Sequence, residues 1–124
     1  VNLEARCDAI EECYEFMLAY AAQGIESDQL SLQGGQIRHL LGQSVTALTG
    51  IAAAYAAELP GDEFIGVIER DAADALAAIR LVLAQPAISS QLIDNLNASI
   101  HLRALLTDLF LVDEVLKLQQ RILQ

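Results

Sequence analysis

The sequence predicts an all-α protein: an antiparallel up-down-up-down four-helix bundle with a long C-terminal helix. Apolar residues recur at spacings of three and four along most of the chain, the period of a core-facing helix. Ala and Leu dominate, with two prolines and no long β-branched run, so helix is favoured over strand. Turn signals divide the chain into four helical stretches with short connections, which makes successive helices antiparallel neighbours. The 124 residues, 1–124, read as one domain with a single core.

The first helix is expected over Leu3 to Ala22. Leu3, Cys7, Ile10, Tyr14, Met17 and Ala21 form its core stripe, and Cys13, Phe16 and Tyr20 widen one flank. Glu4, Asp8, Glu11 and Glu15 make an acidic stripe roughly opposite, read as a solvated face. Gly24 is a plausible stop. Ser27 and Asp28 suit the cap of a short turn through Leu30 and Leu32, and Gly34-Gly35 is expected either to break it or to permit a close approach. The second helix is expected from Gln36 to Glu58, with Ile37, Leu41, Leu48, Ala52, Tyr55 and Leu59 inward. Leu59-Pro60-Gly61-Asp62 is the clearest turn, and Asp62 is a good N-cap for a third helix to Ala84. Its inward face is Ile65, Ile68, Ala72, Ala75, Ile79 and Val82. Gln85-Pro86 ends it, and Ser89 or Ser90 caps the last helix.

That last stretch, Ile88 to Gln124, reads as one long helix with two apolar faces. Ile93, Leu96, Ile100, Ala104, Thr107, Leu111, Val115, Leu118 and Ile122 form the stripe expected in the core. Leu102, Leu105, Leu109, Val112 and Leu116 form a second stripe well round the helix. A single bundle covers one stripe per helix. The second is therefore expected to be an oligomer interface, with a symmetric homodimer the simplest solution; a further segment of the same chain, such as Gly24 to Gly35, is the alternative cover.

The formal charge of −10, with only seven Lys and Arg, argues against nucleic acid and against an anionic membrane surface. Leu40 to Ala57 is uncharged but interrupted by Gly42, Gln43, Ser44, Thr46, Thr49 and Gly50, so it reads as a buried helix and no membrane is expected. Residues 1–6 carry no apolar signal core, and Cys7 and Cys13 lie too far apart on one helix to bridge. Both observations lead to the expectation of reduced thiols in a cytoplasmic protein.

Motifs for chemistry are sparse, and no cofactor or metal is expected. A di-metal bundle needs Glu-x-x-His, but Gln36 and Ala98 stand three before His39 and His101. A haem between Met17 and His101 would face an axial mismatch of about 7 Å by helix rise. A mononuclear metal could draw on Cys13, His39, Asp71 or Asp74, and His101, without a compact ligand spacing. No nucleophile motif or phosphate loop occurs, so an enzyme is not expected. The segment His39-Leu40-Leu41-Gly42-Gln43-Ser44 resembles the phosphoacceptor segment of histidine phosphotransfer domains, which are also helical bundles. That resemblance implies a phosphoryl group carried on His39. The family has Lys three after the His and then Gly; here Gly42 and Gln43 stand there, which removes the cation beside the phosphoryl group. The leading expectation is a non-enzymatic adaptor or regulatory protein, acting through protein–protein contact as a homo-oligomer. Phosphotransfer through His39 and a haem- or metal-binding bundle are the alternatives.

Overall fold

The computed structural model describes residues 2–30 and 32–123, and these form six α-helices without a strand. In order they are α1 (Leu3–Ala21), α2 (Leu32–Leu48), α3 (Ile51–Glu58), α4 (Phe64–Leu83), α5 (Ser90–Ala98) and α6 (His101–Leu123). The protein is all-α, but two of the expected long helices are each broken in two. Gln124 lies outside the described residues.

α1 begins where Asn2 accepts the Ala5 N–H at 2.7 Å. It packs against α2, α5, α6 and α3, so it has neighbours on several sides. That explains why Cys13, expected at the flank, is fully buried along with Ile10, Met17 and Tyr20. A single 3₁₀ turn at Asp28–Leu30 follows, and Gly34-Gly35 lies inside α2, so of the two expectations for this pair the break does not occur.

The expected second helix bends by 43° at Thr49-Gly50. Gly50 takes φ +75°, a left-handed conformation that a glycine adopts freely. The carbonyls left open at the end of α2 find a donor on α1. Arg6 donates to the carbonyls of Ala47 and Thr49 at 3.2 and 2.8 Å. No single helix among the described residues is long and apolar enough to cross a membrane. Gly61, at φ +76°, makes the turn into α4, and Asp62 accepts the Phe64 N–H at 2.8 Å. Ile68, Ala72, Ala75, Ile79 and Val82 are buried as the pattern requires. Ser89 caps α5 by accepting the Leu92 N–H at 3.0 Å.

The second break, between α5 and α6, changes which face of α6 meets the core. Ile100 sits at φ +61° and turns the chain between the two helices. The stripe assigned to an oligomer interface is therefore the one the chain covers itself. Leu102, Leu105, Leu109 and Val112 are buried, and Leu116 is half-buried. Leu111, Val115, Leu118 and Ile122, expected in the core, are exposed.

Asp28 ties one end of the fold together. Its carboxylate is ion-paired to Arg38 and accepts the Ile88 N–H at 2.7 Å. Arg38 also donates to the carbonyls of Leu83 and Gln85, at 3.1 and 2.8 Å, at the end of α4. Tyr20 donates to the Ile88 carbonyl at 2.7 Å, and Ser90 donates to the Tyr20 carbonyl at 2.6 Å. Burial works to raise the Asp28 carboxyl, but Arg38 and the Ile88 N–H outweigh it and hold it below its ordinary value. A depressed carboxyl stabilises the fold above its unfolded pKa, near 4, and that contribution is lost as pH falls through the depressed value. Asp28→Asn should cost about 2–3 kcal/mol in denaturant unfolding at neutral pH, less than a fully buried pair, because a third of the Arg38 side chain is open to water. The difference from wild type should shrink when the measurement is repeated at pH 3. An equal cost at both pH values would contradict the role of the charge.

Candidate contact surface

α6 carries apolar residues on both its inner and its outer side. Its inner face is Leu102, Leu105, Leu106, Leu109 and Val112, set against α4 and α1. At 100° per residue, the stripe Leu111, Val115, Leu118, Ile122 lies roughly 150° round from that face. Its spacing is four, three, four, and its members are 36–82% exposed. Phe110 adds apolar surface beside it, above a shallow hollow floored by Tyr14 and Leu106. Every residue from Lys117 to Ile122 is exposed. Two cations and one acid, Lys117, Arg121 and Glu114, flank the stripe.

A polar series ties α6 to the body. Asp113 accepts the Tyr55 hydroxyl proton at 2.9 Å, and the Cys7 thiol lies 3.2 Å from that hydroxyl. Burial raises both Tyr55 and Cys7, so both are protonated. Tyr55 then donates to Asp113, and Cys7 donates to Tyr55. Burial leaves this thiol protonated and unreactive. On another side of α6 the Asp108 carboxyl has that of Asp71, on α4, as its neighbour. Burial, then the neighbouring Asp71 on α4, pushes Asp108 up to about 7. One Asp108 oxygen is shielded from solvent without a hydrogen-bond partner.

The residues weighed for chemistry are scattered. His39 is exposed on α2, as a phosphoacceptor must be, with Gly42 where the family carries Lys. Met17 is fully buried with the Cys13 sulfur 3.8 Å from its own, and burial pushes the Cys13 thiol up to about 11. His101 is exposed at the start of α6, so the structure does not bring it to Met17. With Asp74 it lines an open, mostly apolar groove of about 460 Å³ between α4, α5 and α6. Among the described residues no three His, Cys, Asp or Glu side chains converge on a metal position. What sequence reasoning missed is that this stripe faces outward. One hint was available: the stripe assigned to the core contains Thr107, whereas Leu102, Leu105, Leu109, Val112 and Leu116 are all apolar.

No protein-family model matches this chain, and no curated protein or solved structure is significantly similar to it.

The carboxyl pair gives the fold a pH dependence near neutrality. Unfolded, Asp108 loses its proton near pH 4; folded, it keeps it to about 7. A raised carboxyl stabilises the fold below its unfolded pKa, and that contribution is lost as pH rises through the folded one. Wild type should therefore lose stability between about pH 4 and about pH 7. Asp108→Asn, which needs no proton, should flatten that slope in thermal unfolding. An unchanged slope would rule out the pair as its source.

Proposed function

We propose that this protein works through protein–protein contact, as an adaptor or regulatory protein without a reaction of its own. The contact is made by the projecting end of α6 with the same element of a second copy. One observation carries this reading: Leu111, Val115, Leu118 and Ile122 form a solvent-facing stripe with the spacing of a helix–helix seam. Contiguous apolar surface of this kind marks an interaction site more often than a free surface.

Charge favours a second copy in antiparallel register. Pairing Leu111 with Ile122 and Val115 with Leu118 brings Glu114 of each copy beside Arg121 of the other. A parallel pairing sets Glu114 across from the neutral Gln119 and makes no such ion pair. Flank charges of this type choose orientation more than they add affinity. The chain carries −10 overall, whereas the stretch from Glu114 onward has one acid against Lys117 and Arg121. Two acidic copies therefore meet with least repulsion at this end. The helix is already formed on the body, so little ordering entropy opposes a seam this short.

Light scattering across micromolar concentrations tests the reading. Wild type should associate, and Leu118→Glu with Ile122→Glu should weaken association by about a hundredfold or more, because carboxylates would be buried in the seam. Helicity and melting should stay unchanged, since both side chains are exposed. A wild type that is monomeric throughout, or one that associates equally well with both substitutions, rejects this contact.

A further inference from the structure

We infer that α5 and α6 fuse into one continuous helix and exchange α6 between two copies of this chain, with Ile100 as the hinge. Four positions have positive φ among the described residues: Gly24, Gly50, Gly61 and Ile100. Three are glycines, for which the conformation is free of strain. The fourth is β-branched, and at φ +61° its Cβ crowds the backbone. A helix C-terminus commonly uses this conformation, but with Gly in that position. The strain is not offset by packing, because the Ile100 side chain is 56% exposed.

The covalent chain around the hinge is otherwise built for a straight helix. Only Ser99 and Ile100 separate α5 from α6, and no Gly or Pro occurs from Ala87 to Gln124. Ile93 and Leu96 are buried in α5, and Leu102, Leu105, Leu109 and Val112 are buried in α6. On one continuous helix these two sets would lie roughly 170° apart. A single copy cannot cover both sides of a straight helix, so in the closed chain the helix breaks. Two copies can. Each long helix then has its own body on one side at Ile93 and Leu96, and the other copy's body on the opposite side at Leu102 to Val112. The exchanged α6 keeps its inner contacts, including the Tyr55–Asp113 hydrogen bond. Both hinges lose their left-handed residue and gain helical hydrogen bonds. Short, strained hinges favour exchange of this kind.

The exchange uses the buried face of α6, so it does not rest on the seam at the helix end. The decisive measurement joins two different chains. Asp71 and Asp108 are neighbours across α4 and α6. One chain carries Asp71→Cys and the other Asp108→Cys, and both carry Leu118→Glu to weaken the end contact. They are refolded together and treated with a short bis-maleimide. A link between Cys at 71 of one chain and Cys at 108 of the other, identified by peptide mass, is expected only if α6 has crossed over. Ile100→Gly relieves the strain of the closed form and should lower the yield of that link by about tenfold or more. Inserting Gly-Ser-Gly after Ser99 should act in the same direction. Dimers without the 71–108 link overturn the exchange and leave the end contact standing. A strong link in these Leu118→Glu chains supports the exchange whatever becomes of the end contact. Monomers alone, or a yield that neither hinge variant lowers, also overturn it.

Discussion

The buried Asp28 carboxylate decides where the second half of the chain begins. It takes the Ile88 N–H and pairs with Arg38, whose other donors close the carbonyls at the end of α4. Tyr20 and Ser90 lock the same point to the end of α1, and Ser90 and Ile25 are joined by backbone and side-chain bonds at 2.8 Å. With its start held, α5 has one phase available, the one that buries Ile93 and Leu96. From there a straight helix would carry Leu102, Leu105, Leu109 and Val112 away from α1 and α4. Four large apolar side chains outweigh one strained residue, since each fully buried Leu contributes about 1.5–3 kcal/mol and a left-handed residue costs about 1–2 kcal/mol. The break at Ile100 follows from that inequality.

The same break creates the surface on which a functional reading rests. Rotating α6 to bury one stripe necessarily exposes the other. The carboxyl pair Asp71–Asp108 and the Cys7–Tyr55–Asp113 series then sit on different sides of the helix, and the second ties it to α1 and α3. From Lys117 to Ile122 every residue of α6 is exposed, with Leu118 and Ile122 set among Lys117 and Arg121. The rest of the molecule is acidic, and its potentially reactive groups are sealed or dispersed. The two thiols are buried and raised, and the two histidines stand on separate helices without converging partners.

Composition and periodicity by themselves determined that this protein is all-α, and they determined most of the inward residues of α1 and α4. They also located the Pro60-Gly61 turn and the Ser89 cap, because these depend on local backbone preference. They further determined that the C-terminal stretch has two apolar faces, since that is a property of spacing alone. Only the tertiary structure decided which face is inside. The Gly50 bend was foreshadowed by a glycine, but its completion needed Arg6, far away in sequence, to take the open carbonyls of α2. The break at Ile100 had no local sign, because a β-branched residue does not choose a left-handed conformation by preference. It is imposed by long-range packing, by the anchoring of α5 at Asp28 and the burial of α6 against α1 and α4. Helical period is read from neighbours along the chain, whereas helical phase is set by what the helix meets in space.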